Sequence, residues 1–326
     1  MTTVLITGAT GCVGANLVEA VTAYGWRARV LRRPTSSVRA LAGLTYDTVI
    51  GDVADYESLV DAMHGVDIVF HAAAVADYWR TGPQRMYQVN VEGTRNVLKA
   101  AQAAGVTRVV YTSSVAAIGV PPFGKALTEE AQYDLPPGRF PYGYSKVLAE
   151  RLVHEYVAHG LDVVIVNPAV VVGPRDVNRI GGSMLLEEKR IGIPVYPPGG
   201  MCVVDVSDLC AGQIAAVERG RKGERYILGG ENLWYRDLIA QTAQVVGRRP
   251  ARIAVSRRLT LLLARLIDLA RHLGIKMPAN GDQMRLAAET MWFDSGKAHA
   301  ELGFVARPYR EAAQRAYDWY RQNGYA

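Results

Sequence analysis

Apolar positions along the chain switch between two periods from its first residues. Short β-branched runs at 3–7, 27–31, 48–50, 68–70, 108–111 and 163–166 alternate with helical periodicity at 12–24, 56–63, 84–104 and 143–159. The runs are apolar on both faces, as strands are when helices cover both sides of a sheet. Right-handed crossovers between such strands give an α/β fold, a doubly wound parallel sheet of the Rossmann type. After Pro168 the alternation fails. Gly and Pro crowd 173–200, which predicts irregular structure with one short helix. A helix near 206–218 and a strand at 225–228 are predicted to rejoin the sheet, and 233–326 reads as mostly helical. The expected division is discontinuous: 1–171 plus 205–232 form the wound-sheet domain, and 172–204 plus 233–326 form a smaller one.

Composition narrows the class. Apolar types make up 49% of 326 residues and charged types 21%, ordinary for a soluble globule and too apolar for a disordered chain. Three cysteines (Cys12, Cys202, Cys210) cannot form a disulfide scaffold, and an odd count fits a reducing compartment. The N-terminus lacks the basic and apolar regions of a signal peptide, and no run reaches the roughly 18 apolar residues of a spanning helix. A cytoplasmic location is the expectation. The net charge of +6 is concentrated in 248–276, where eight basic residues face one acid, Asp268. That confinement argues against a nucleic-acid surface spread over the fold. The six histidines show no metal-ligand spacing with the cysteines, so no metal is expected.

Two motifs carry chemistry. Gly8, Gly11 and Gly14 lie in Thr7-Gly8-Ala9-Thr10-Gly11-Cys12-Val13-Gly14, between the first strand and the first helix. Glycines there allow a tight turn and close approach of a pyrophosphate, and the helix N-terminus adds amide donors. The spacing is G-x-x-G-x-x-G rather than the G-x-G-x-x-G of the usual dinucleotide fingerprint. The second motif is Tyr142-Gly143-Tyr144-Ser145-Lys146, in which Tyr142 and Lys146 share one helix face at i and i+4. Ser114 follows the strand that ends at Thr112.

With Asp52-Val53, His71-Ala72-Ala73-Ala74, Asn90-Val91-Glu92-Gly93-Thr94-Arg95-Asn96 and Asn167-Pro168, these motifs make the whole chain resemble the extended short-chain dehydrogenase/reductase family. The dihydroflavonol-4-reductase-like branch, which includes hopanoid-associated sugar-epimerase-like proteins, is the nearer likeness. It rests on Val30-Leu31-Arg32-Arg33-Pro34, Val166-Asn167-Pro168-Ala169, Gly173-Pro174-Arg175-Asp176 and Tyr226-Ile227-Leu228-Gly229-Gly230. Phe293-Asp294-Ser295-Gly296-Lys297-Ala298 and Glu301-Leu302-Gly303-Phe304 fit as well.

The resemblance implies a Ser114-Tyr142-Lys146 site. Tyr142 is expected to be the acid in reduction and the base in oxidation. A free phenol titrates near about 10, and the neighbouring Lys146 ammonium is expected to lower it. Lys146 also holds the nicotinamide ribose, and Ser114 orients the carbonyl oxygen; the adjacent Ser113 is the competing candidate. The implied cofactor contacts begin at Gly8, Thr10, Gly11, Cys12, Val13 and Gly14. They continue through Asp52, Val53, Ala72, Ala73, Ala74, Asn90, Thr112, Tyr142 and Lys146 to Pro168, Ala169, Val170, Val171 and Ser183. An enzyme that uses NAD places an acid about 20 residues past the glycine loop. Arg32 stands there instead, with Arg39 in the next turn, so NADP(H) is the expected cofactor: a guanidinium pairs with a 2′-phosphate that a carboxylate would repel. His71 reads as a residue whose neighbours line the cofactor, and Cys12 as a small packed side chain.

The expected function is NADP-dependent reduction of a ketone or aldehyde with a bulky, apolar body, or oxidation of the matching alcohol. The alternative is a nucleotide-sugar epimerase or dehydratase. That alternative is weakened because Pro197-Pro198-Gly199-Gly200 replaces the Gly-Asp-Gly turn usual in such epimerases. A cofactor-binding regulator would have lost Ser, Tyr or Lys, and all three are present. Substrate contacts are expected from 75–82, 120–140 and 172–200. Members of the family often form homodimers through helices beside the catalytic one, which the resemblance carries over as an option. Three readings stay open for the basic segment, where Leu259, Leu262, Leu263, Leu266, Ile267, Ala270 and Leu273 share one helical side. It is a helix packed on the smaller domain, a lid over an apolar substrate, or a weak peripheral membrane contact through 257–273.

Overall fold

The computed structural model describes residues 1–76, 81–275 and 281–326. The predicted pocket residues 77–80, and Lys276 of the basic segment, lie outside the described residues. Seven parallel strands make the central sheet: β1 (Thr3–Thr7), β2 (Arg27–Arg32), β3 (Asp47–Ile50), β4 (Ile68–His71), β5 (Arg108–Thr112), β7 (Val163–Pro168) and β11 (Arg225–Leu228). Their spatial order is β11-β7-β5-β4-β1-β2-β3. The chain leaves β1 toward β2 and β3, then crosses back to β4 on the other side. That reversal opens a crevice between β1 and β4 at the carboxyl ends of the strands, where doubly wound folds bind their ligands.

Alternate residues of the strands feed two cores. Val4 and Ile6 of β1 point to one face, which α1 (Cys12–Ala23) and α7 (Val206–Arg219) cover, and both join a single buried cluster with Leu17, Val18 and Leu209. Leu5 points to the other, which α2 (Tyr56–Ala62), α4 (Gly93–Ala103) and α5 (Pro141–Ala158) cover through Leu59, Leu98, Ala149 and Leu152. This is the period of two expressed as burial on both faces. The helical run predicted over 84–104 is interrupted: α3 (Pro83–Tyr87) passes through a π turn at Gln88–Glu92 before α4 begins.

A second, five-stranded sheet was not visible in the hydropathy pattern. β12 (Glu231–Trp234), β10 (Gly200–Asp205), β14 (Thr290–Phe293) and β6 (Ala126–Leu127) lie side by side, and β8 (Val170–Val172) also pairs with β10. Four of these strands have only two to four residues, too few for alternation to show. A small pair, β9 (Val195–Tyr196) with β13 (Ile253–Ala254), stands apart. Around them are α6 (Ser183–Ile191), α8 (Tyr235–Val246), α9 (Arg257–His272), α10 (Gly281–Ala287) and α12 (Tyr309–Gln322), while α11 (Gly296–Leu302) packs on α7 and β11 and joins the main core through Ala298 and Leu302. Leu185, Leu233, Leu238, Tyr309 and Tyr320 anchor a third core there.

Helix α9 corrects one reading. A basic amphipathic helix packed through its leucines would bury them, yet the residues of α9 that are buried are Thr260 and Ala264. Leu259, Leu262, Leu263, Leu266, Leu269 and Leu273 are exposed. Asp268, the one acid of the segment, meets Arg285 and the Gly281 amide. The contact face is set by α10 and its arginine, not by hydropathy.

Candidate active site

The glycine loop wraps the carboxyl end of β1. Gly8 adopts a left-handed φ of +72°, and a Cβ there would meet the Ala73 backbone nitrogen at 2.6 Å. Only glycine fits, so the loop lies directly on the Ala72–Ala74 turn that follows β4. Thr7 Oγ1 accepts from the Ala73 amide at 3.3 Å, and its carbonyl accepts from the Ala72 amide at 3.3 Å. Gly11 is the N-cap of α1 and brings no side-chain cap. The first turn of α1, from Cys12 to Gly14, therefore presents backbone donors rather than a competing hydroxyl. The Cys12 thiol donates to the Pro174 carbonyl at 3.5 Å, and burial pushes its pKa well up, as suits a packed side chain.

Around this loop the strand ends bring the other expected residues to one edge of the sheet. Arg32 closes β2. Its Nε is buried with no hydrogen-bond partner among the described residues, while Nη1 reaches the Arg33 carbonyl at 3.4 Å. Arg39 is exposed at the start of a 3-10 turn, Arg39–Leu41. Asp52 follows β3 and accepts from the Ala54 amide at 3.0 Å; Val53 is buried against α4. Pro168 ends β7 and Ala169 follows it, whereas Val170 and Val171 have crossed into the second sheet as β8. Ser183 opens α6, directly after Gly182, whose amide donates to Asp176 at 2.9 Å.

The predicted trio meets where α5 begins. Gly143 makes this approach available, since a Cβ there would sit 2.6 Å from the Ala116 carbonyl in the 3-10 turn Val115–Ala117. Ser114 caps that turn, its Oγ accepting from the Ala116 amide at 3.1 Å. Tyr142 is half-buried, with the Ser114 side chain close enough to act on its titration. Burial raises the Tyr142 pKa, and the nearby Ser114 hydroxyl opposes that shift. Lys146 is 2% exposed. Its Nζ donates to the Thr112 carbonyl at 2.9 Å and to Tyr111 Oη at 3.5 Å. Burial pushes Lys146 down to about 8, against the opposing charge of Glu150. The lowered phenol expected from the neighbouring lysine is thus not what this arrangement gives: the ammonium is bonded to the Thr112 carbonyl and the Tyr111 hydroxyl, and desolvation governs Tyr142. Ser113 and Ser114 separate cleanly. Ser113 is buried with its Oγ donating to Glu150 Oε1 at 2.5 Å, and only Ser114 faces Tyr142.

Several functional supports were missed by sequence reasoning. Glu150, one turn past Lys146, is buried and accepts from Ser113, from Asn167 Nδ2 at 2.7 Å, and from Arg225 Nη1 at 3.4 Å. Asn167 Nδ2 also donates to the Ser114 carbonyl at 3.0 Å. The i+4 spacing from Lys146 was the signal available for Glu150. Asn90, which the resemblance counted among the cofactor contacts, is committed to positioning: its Oδ1 accepts from the Val75 amide at 2.7 Å, and its Nδ2 donates to Val75 O at 3.1 Å and Ser145 Oγ at 3.0 Å. Arg175, left-handed at φ +66°, holds the Ala40 and Ala42 carbonyls beside Arg39. His71 is a packed residue, bonded to Thr7 Oγ1 at 2.7 Å and Thr94 Oγ1 at 2.9 Å. Burial first, then the Lys146 charge, lower its pKa to about 3, so it stays neutral at working pH.

A cavity of about 200 Å³ lies beside this site, lined by Val120, Leu135, Arg139, Phe140, Leu261 and Leu286 among others. The Phe140 ring packs 6.0 Å from that of Tyr142. Of the substrate segments expected, 120–140 lines it; its other wall comes from α9 and α10. A larger, charged hollow of about 690 Å³ includes Glu129, Arg221, Glu224, Arg225 and Lys297. It sits at the amino end of β11, away from the glycine loop, and its charges largely pair with one another.

The family model for NAD dependent epimerase/dehydratase matches residues 4–229. The chain belongs to that family. It is 36% identical over 326 residues to a putative dihydroflavonol 4-reductase of Synechocystis sp., covering 98% of this chain and 95% of that one. It is 35% identical over 326 residues to sterol demethylase protein B of Methylococcus capsulatus, covering 99% of each. The crystal structure of gox2253 superposes with a TM-score of 0.88 at 36% identity, covering 100% of this chain and 99% of that one. These relatives bear out the extended short-chain dehydrogenase/reductase likeness and its dihydroflavonol-reductase-like branch, a family of NAD(P)-dependent oxidoreductases. No helix among the described residues is long and apolar enough to cross a membrane.

Proposed function

We propose that this protein is an NADP-dependent reductase of a ketone or aldehyde with a bulky, apolar body, or the dehydrogenase of the matching alcohol. The observation that carries the reading is the meeting of Ser114 with Tyr142 at the start of α5, with Lys146 on the next turn, at the sheet edge that holds the glycine loop. When bound, the nicotinamide supplies or accepts the hydride. The protein's own part is protonic and electrostatic. Tyr142, kept protonated by burial, gives its proton to the oxygen of the reduced carbonyl, and Ser114 donates a hydrogen bond to that oxygen as its charge develops. Lys146, held between the Thr112 carbonyl and Tyr111, is positioned for the ribose side of the site.

The residues present fit the cofactor. The Gly8 cradle and the uncapped start of α1 suit a pyrophosphate, and the unpartnered Arg32 Nε suits a 2′-phosphate. In the proposed division of labour, 1–171 with 205–232 hold the cofactor, and 172–204 with 233–326 shape the substrate end. Dihydroflavonol and sterol in the names of the relatives agree with an apolar substrate. The family description also covers epimerases and dehydratases, so nucleotide sugars belong in the same test. The experiment follows NADPH absorbance over a panel of bulky ketones and aldehydes with nucleotide sugars alongside, in wild type and Arg32→Asp. Turnover of an apolar carbonyl with NADPH, and a lost preference for NADPH over NADH in Arg32→Asp, are expected. Equal use of both cofactors by wild type overturns the NADP assignment, and turnover of a nucleotide sugar alone overturns the substrate class.

A further inference from the structure

The outer face of α9 does the opposite of what a globular surface helix does. Leu262 and Leu266 are each 51% exposed, Leu269 is 55% and Leu273 69%. With Leu259 and Leu263 they recur at three- and four-residue spacing, which places them on one side of the helix, opposite buried Thr260 and Ala264. A contiguous apolar face of this kind on a soluble domain marks an interaction site.

Charge selects the partner. The one acid of 248–276, Asp268, is turned inward to Arg285 and Gly281, and Arg257 is neutralised by Glu289 at 2.5 Å. Arg258, Arg265 and Arg271 have no ion pair among the described residues. Arg258, Arg265 and His272 follow at seven-residue intervals along one flank of the leucine face. A second copy packed on this face would bring its own arginines to the same seam with no acid to meet them. An anionic lipid surface meets both demands at once: acyl chains take the leucines and headgroups take the guanidinium groups.

We propose that α9 docks the protein on an anionic membrane surface, with its leucine face in the interfacial layer and Arg258 and Arg265 at the headgroups. The inner edge of the same helix lines the cavity beside Phe140 through Leu261. Docking therefore sets that cavity next to the lipid phase from which an apolar substrate is drawn. This last step rests on the proposed reductase function; the docking itself does not.

The test is flotation of the full-length protein with vesicles of phosphatidylcholine, alone or mixed with phosphatidylglycerol, at low and high salt. Wild type is expected to float with the anionic vesicles and to be partly released by salt. Arg258→Glu with Arg265→Glu is expected to weaken that binding by about tenfold or more, and Leu262→Gln with Leu266→Gln to abolish it. Unchanged thermal midpoints would show that these exposed substitutions leave the fold intact. Wild type that floats no better with anionic than with neutral vesicles overturns the proposal, as does flotation insensitive to the leucine pair. So does a dimer, seen by sedimentation, that the leucine pair splits while vesicles bind nothing. The readout is independent of turnover, so failure of the reductase reading leaves it standing.

Discussion

Helices α5 and α9 have 18 and 16 residues and break the inside–outside rule in opposite directions. Helix α5 turns a lysine and a glutamate into the protein and satisfies both. Helix α9 turns leucines out and buries a threonine and an alanine. A buried charge costs free energy unless partnered, and an exposed apolar stripe forfeits burial. Each exception marks a place where folding stability is subordinate to something else. In α5 that is the site at its first turn; in α9 it is the outer surface.

The strongest way to break the comparison is at Tyr142. If the inward chemistry of α5 is catalytic, Tyr142→Phe should cut turnover by about 10²–10⁴-fold, the usual worth of a positioned proton donor. Cofactor affinity, read by fluorescence titration, should hold, because the ring stays and only the hydroxyl goes. Lys146→Ala should lower turnover and cofactor affinity together. Wild-type turnover in Tyr142→Phe would sink the assignment.

Next in size is the brace behind the site. Glu150 is the acceptor for Ser113, Asn167 and Arg225 at once. Removing it in Glu150→Ala strands a partly buried guanidinium, a hydroxyl and an amide, a loss of about 3–5 kcal/mol. Denaturant unfolding measures it, and Glu150→Gln, which keeps the shape and one acceptor, should recover part of the loss. An alanine variant as stable as wild type would mean that Arg225 relaxes onto the Glu129 and Ala131 carbonyls it already touches.

How far the sequence reaches differs between the same two regions. The main sheet was legible strand by strand because β1, β4, β5 and β7 are apolar on both faces and meet only helices. The trio was legible because Tyr142 and Lys146 share a helix face and Ser114 ends a strand. What failed was contextual. Burial, opposed by Ser114 and not by the lysine, sets the direction of the Tyr142 pKa, and spacing carries no information about desolvation. Short strands such as Ala126–Leu127 exist only through their partners. The outward turn of α9 follows from Asp268 and Arg285 meeting across to α10, a contact between residues 17 positions apart that hydropathy cannot see.

The smallest effect sharpens the contrast most directly. On α5, Leu152 is 4% exposed and belongs to the core under the sheet. Leu152→Ala should cost about 2–5 kcal/mol, from lost transfer energy and the cavity left behind. On α9, Leu269 is a leucine of the same chemistry with most of its packing missing. Leu269→Ser removes little that is buried, so its effect in solution should stay within about 0.5 kcal/mol. Helix propensity favours leucine only slightly over serine, which keeps the sign of that residue small. Chemical denaturation of the two variants side by side makes the comparison. A loss of several kcal/mol in Leu269→Ser would show that the leucine face is covered in solution. Near-neutrality would show that this face stands uncovered in solution, as the exposure of Leu269 implies.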